Sequence, residues 1–105
     1  MTKKNTEIVQ SIKNTIQSVD PDARIILYGS HARGNASNDS DWDILVLLDK
    51  DNIDSKDYER IAYRLYELGW SFGEHFSTKI YTTGQWAKRN FTPFYKDIQK
   101  EGIIL

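Results

Sequence analysis

The sequence predicts an α+β fold: a small mixed β-sheet of three to four strands with helices packed against it, on one face. Three observations lead there. Amphipathic stretches of helical period alternate with short β-branched runs along the 105 residues. The two central runs, Arg24 to Tyr28 and Trp42 to Leu48, are joined by a linker too short for a helical crossover, so they pair antiparallel. The tail of the second run, Ile44-Leu45-Val46-Leu47-Leu48, is continuously apolar, as in a strand buried on both faces.

The elements follow in order. Ile8, Val9, Ile12, Ile16 and Val19 recur at helical spacing and predict a helix over about 4–19, stopped by Asp20-Pro21-Asp22. Arg24 to Tyr28 is the first strand. Gly29 to Ser40 is a loop with one helical turn near His31 to Arg33, and Trp42 to Leu48 is the second strand. After the turn Asp49-Lys50-Asp51-Asn52 a long helix runs from about Ser55 to Phe72, capped by Asp54 or Ser55, favoured by Asp57 in its first turn and ended by Gly73. Its expected core face is Tyr58, Ile61, Ala62, Leu65, Leu68 and Phe72. His75 to Thr82 is a third strand, Thr83 to Asn90 a short helix, and Thr92-Pro93 starts a last helix through about Glu101. Gly102 closes that helix, and Ile103-Ile104-Leu105 can add an edge strand. Trp70, Phe72, Phe76, Trp86, Phe91, Phe94 and Tyr95 are core candidates, although 12% aromatic residues are enough to leave some for a partner-facing patch.

Composition narrows the function. The length suits one domain over residues 1–105. A net charge of −1 provides no broad positive field for a nucleic-acid polymer or anionic lipid. With no cysteine, disulfides, thiolate zinc sites and cysteine nucleophiles are excluded. No apolar run is long enough to span a membrane and no signal-like core follows Met1, so the cytoplasm is the expected compartment.

The chemistry concentrates in one stretch: Gly29-Ser30, ten residues, then Asp41-Trp42-Asp43. In a strand, carboxylates at i and i+2 point to one face, where they repel unless a hard divalent cation lies between them. A phosphate-binding P-loop would need Lys and then Ser or Thr after Gly34; Asn35 and Ala36 stand there. A calcium loop beginning at Asp39 would need Gly and Glu where Ile44 and Lys50 stand. Nucleotidyl transfer fits. Asp41 and Asp43 can hold magnesium, Gly29 admits close backbone approach to phosphate, and Ser30 and Arg33 can donate to phosphate oxygens. For Arg33 a surface salt bridge to Asp39 or Asp41 competes with that role.

Gly29-Ser30 in register with Asp41-Trp42-Asp43 resembles the signature of the DNA polymerase β-like nucleotidyltransferase superfamily. The fuller string, Gly29-Ser30-His31-Ala32-Arg33-Gly34 with Ser40-Asp41-Trp42-Asp43-Ile44-Leu45-Val46, is similar to its small prokaryotic branch, the minimal nucleotidyltransferases. Thr92-Pro93-Phe94-Tyr95, Ile98 and Glu101-Gly102-Ile103 are similar to the tails of that branch. The resemblance implies Asp41 and Asp43 as catalytic metal ligands for magnesium, in two ions, and Gly29, Ser30 and Arg33 as nucleotide-binding residues. It implies ATP as substrate and AMP transfer to a hydroxyl, in one setting a tyrosine of a HEPN-family toxin for which the protein is the antitoxin. Other relatives modify small molecules such as aminoglycosides, or add nucleotides to RNA ends.

The resemblance also exposes a departure. Full members carry a third carboxylate on a later strand, and the matching register here holds His75, with Glu74 one residue away on the opposite face. Two further readings stand beside AMP transfer to a protein: a lapsed relative acting by contact alone, and a transferase for a small hydroxylated acceptor. His31 and His75 lack metal-ligand spacing and read as structural or surface residues, and Trp42 reads as core. Lys88, Arg89, Lys96 and Lys100 form a mildly basic, solvated face.

Overall fold

The computed structural model describes residues 1–105. Its elements are α1 (Lys3–Val19), β1 (Arg24–Tyr28), α2 (Gly29–Arg33), β2 (Trp42–Leu48), α3 (Ser55–Phe72), β3 (Phe76–Thr82), α4 (Thr83–Ala87), α5 (Pro93–Glu101) and β4 (Ile103–Ile104). Caps set most helix boundaries. The Thr2 hydroxyl accepts from the Asn5 amide at the start of α1. Asp54 and Asp57 form a reciprocal capping box on α3, and Thr82 with Gln85 does the same on α4. Gly73 ends α3 in the left-handed region at φ 68°. The fourth helix is shorter than its sequence reading, ending at Ala87 instead of Asn90.

The sheet is mixed, in the order β3-β2-β1-β4. β1 pairs antiparallel with β2 and β4, and β2 pairs parallel with β3 across α3. The register sets the site: Tyr28 lies opposite Asp43, and Asp43 lies beside Ser77.

The expectation of helices on one face is corrected by the core, which has two parts. Trp42, Ile44, Val46 and Leu48 of β2 join Ile25 and Leu27 of β1 against Ile8, Ile12 and Ile16 of α1 and Ile61 and Leu65 of α3. The alternate residues, Leu45 and Leu47 with Ile26 and Tyr28, pack on Trp86 of α4 and Ile98 of α5. Helices therefore cover both faces, which is why β2 carries no polar residue after Asp43.

The aromatic assignment also needs correction. Trp86 is buried, and Phe72, Phe76, Phe94 and Tyr95 pack against the two cores. Trp70 and Phe91 are exposed, and so is Tyr58, against the core face expected for it on α3. On that helix Ile61, Leu65 and Gly69 are the buried residues. No helix is long and apolar enough to cross a membrane.

Candidate functional site

The rim where β1 ends and β2 begins carries the chemistry. The chain leaves Tyr28 and turns through Gly29 at φ 75°, a left-handed conformation that favours glycine. Space makes a second demand there. A Cβ on Gly29 would lie 2.2 Å from Oδ2 of Asp43, with the rest of that carboxyl group directly behind it. The Gly29 backbone thus lies directly against the Asp43 carboxyl, and any side chain at position 29 would displace it.

The loop that follows is tied back to the strand. The imidazole of His31 stacks on Trp42 at 3.8 Å between ring centroids and 11° between planes. Its Nε2 lies 3.2 Å from the Ser40 carbonyl oxygen. The Ser37 amide donates to the Ser40 hydroxyl at 2.9 Å. Trp42 itself has no exposed surface and points away from Asp41 and Asp43, as its place between them on a strand dictates. Its indole Nε1 is buried without a hydrogen-bond partner.

Asp43 carries the electrostatic strain of the rim. Partial burial pushes its carboxyl pKa up, and the neighbouring Asp41 pushes it further; His31, Arg33 and Lys79 pull the other way. Asp41 has its own partner, with Oδ1 3.1 Å from Nδ1 of His75. Both histidines, read from sequence as structural or surface residues, border the aspartate pair.

Arg33 stands beside this group, and its guanidinium donates to both Glu101 carboxylate oxygens at 3.2 and 3.3 Å. The competing salt bridge considered for Arg33 therefore reaches α5, not Asp39 or Asp41. It ties α2 to the last helix. Ser30 sits on α2 directly after the glycine.

Glu74 does not join the rim. Its carboxylate lies 3.5 Å from Nζ of Lys4 on α1. No group of three or more Asp, Glu, His or Cys side chains gathers to hold a metal ion. The carboxylate set is a pair, and the position beside Asp41 belongs to His75.

Sequence reasoning overlooked Lys79 and Ser77. Both lie on β3 at even steps from His75, so the parallel register puts them on the face of Asp41 and Asp43. Lys79 Nζ lies 5.4 Å from the centre of the Phe94 ring. The alternation was present in the sequence, but only the pairing of β3 with β2 says which face it joins.

Tyr28 senses the same charge. Burial first, then Asp43 and Tyr81, push its hydroxyl up to about 12 from 10.0. The folded state thus holds the Tyr28 proton more tightly than the unfolded chain does. Stability from this group is complete below pH 10 and is lost as pH rises from about 10 to about 12. A Tyr28→Phe variant is expected to lose less stability across that window than the parent chain, measured by urea unfolding at stepped pH. Identical slopes for the two proteins would refute the assignment.

Residues 9–105 match the family model described as a nucleotidyltransferase domain. One solved structure, described as "Crystal structure of putative nucleotidyltransferase", is 26% identical over 78% of this chain and 86% of its own, with a TM-score of 0.49. No curated protein matches. The family match includes every residue of the rim, from Gly29 to Glu101, and by it the chain belongs to the nucleotidyltransferase domain family.

Proposed function

We propose that the chain is a magnesium-dependent adenylyltransferase that moves AMP from ATP to a hydroxyl. The observation that carries this reading is the approach of Gly29 to Asp43, with Asp41 on the same face of the strand start. A nucleotidyl-transfer site needs an open backbone beside two carboxylates, and a side chain at position 29 would remove that opening.

The donors suit a hard cation. Two carboxylates, one with its pKa raised by burial and then by the other, would both be relieved by a divalent ion between them. Asp41 and Asp43 would be the ligands, and the chemistry magnesium supplies when bound is neutralisation of triphosphate charge. Ser30 and the adjoining amides would donate to the terminal phosphates. Arg33, oriented by Glu101, and Lys79 would add positive charge beside them. In the reaction the acceptor oxygen bonds to the α-phosphorus, the bond from that phosphorus to the bridging oxygen breaks, pyrophosphate leaves and the hydroxyl proton passes to solvent.

The proposed acceptor is a tyrosine of a HEPN-family protein, modified in the cytoplasm by this chain as its antitoxin. A second reading is neutralisation by binding alone. It is favoured by one observation, the separation of Glu74 from the aspartates, which leaves the site one carboxylate short of the family pattern. The test is incubation with ATP labelled at the α-phosphate, magnesium and the HEPN protein. Transfer of label, lost in Asp41→Ala, is the expected result. A tight complex with a partner of unmodified mass, formed equally by Asp41→Ala, would establish the contact reading instead.

A further inference from the structure

The outer face of α3 does not look like a solvated helix surface. Tyr63, Tyr66 and Trp70 are 63, 66 and 79% exposed. With Glu59 they recur at spacings of four, three and four residues. That is the seam of a helix that packs lengthwise on another helix, not the wider stripe used against a sheet. The sheet-facing side of α3 is already occupied by Ile61 and Leu65, so Tyr63, Tyr66 and Trp70 form a second, aromatic face with Glu59 at its N-terminal end.

The residues beside the seam indicate what covers it. Arg60 and Glu67 flank one side at equivalent positions one heptad apart, while Ala62 and Gly69 on the other side are small. In a parallel pair each charged flank would meet only the small one. In an antiparallel pair about a two-fold axis, Tyr63 meets Tyr66 of the second copy, Trp70 lies along Glu59, and Arg60 faces Glu67 on both sides of the axis. The pattern is therefore charge-complementary to itself in one orientation.

The area agrees with a modest interface. At about 150–250 Å² per aromatic side chain, the three rings leave roughly 300–500 Å² per copy to cover. Two copies with their flanking Arg60 and Glu67 stems reach roughly 1,000 Å², the lower bound for a specific association.

We propose that α3 is a homodimer interface, with two copies packed antiparallel through Tyr63, Tyr66 and Trp70 and locked in register by reciprocal Arg60–Glu67 pairs. The proposal is independent of the catalytic reading, since no seam residue belongs to the rim.

The test is sedimentation equilibrium of the full chain at tens of micromolar. The expected mass is twice 12.2 kDa. Arg60→Glu and Glu67→Arg, each placing like charges together on both sides of the axis, should each weaken association by about tenfold or more. The double variant should recover it. Circular dichroism of all three variants should match the parent, because both side chains are exposed. A monomeric parent chain would overturn the proposal. So would a dimer that ignores the single reversals, or one that the double variant fails to restore.

Discussion

Asp43→Asn is expected to reduce nucleotidyl transfer by about 10³-fold or more while leaving the protein at least as stable as the parent chain. The size of the kinetic effect follows from losing one of only two carboxylates that would hold the metal, an interaction worth several kcal/mol of charge stabilisation. The stability effect has the opposite sign. Asp43 is partly buried and faces Asp41, so its charged form is disfavoured in the folded protein. A carboxyl whose folded pKa lies above its unfolded value costs stability above both values, and the cost disappears below the unfolded value. The advantage of Asn should accordingly be full at neutral pH and vanish as pH falls below the ordinary carboxylate pKa of 3.8. Thermal melts of both proteins from acid to neutral pH, run without metal, check the second half; label transfer from ATP checks the first. A variant that stays active and melts lower than the parent would mean that Asp43 is a structural residue.

Trp42→Ala is expected to cost about 3–5 kcal/mol, the range for removing a large aromatic side chain from a core. The residue has no exposed surface, contacts Phe76 edge-on at 6.5 Å between ring centroids, and carries the stacked His31 ring. In a domain this small each kcal/mol lowers the melting temperature by roughly 4–8 °C, so many variant molecules should be unfolded at 37 °C. Trp42→Phe separates packing from polarity. It keeps an aromatic ring and removes an indole N–H that is buried without a partner, which offsets part of the lost contact. Its cost should be well below that of the alanine variant. Denaturant titration measures both. A change within 1 kcal/mol for Trp42→Ala would show that the loop and strand do not depend on this ring.

Much of this architecture was legible in the sequence because each cue was local. The bounds of β1, β2 and α3 follow from β-branched runs, from Asp54 as a cap and from Gly73 as a stop. The antiparallel pairing of β1 with β2 follows from the length of the loop between them. What failed depended on who covers whom. Trp70 and Tyr58 were read as core because helical periodicity reports apolar residues and not their neighbours, and α3 presents apolar side chains on two sides. The two last helices were legible, but their place on the opposite face of the sheet was not, for a similar reason. A continuously apolar β2 requires cover on both faces but does not name α4 and α5 as the cover.

The same division holds at the rim. The sequence by itself determined the glycine, the serine and the two aspartates, and that Asp41 and Asp43 share a face, because strand periodicity is a property of the backbone alone. The register matched to the family resemblance put His75, not Glu74, at the third-carboxylate position, and the pairing of β3 with β2 sets it beside Asp41. Only the tertiary structure decided that the Gly29 backbone abuts the Asp43 carboxyl, that Arg33 is held by Glu101, and that Lys79 adds its charge to the pair. Those relations join residues from 14 to 68 positions apart. Their energies depend on distance through space, which is set by strand pairing and by the packing of α5, and no local pattern in the chain encodes it.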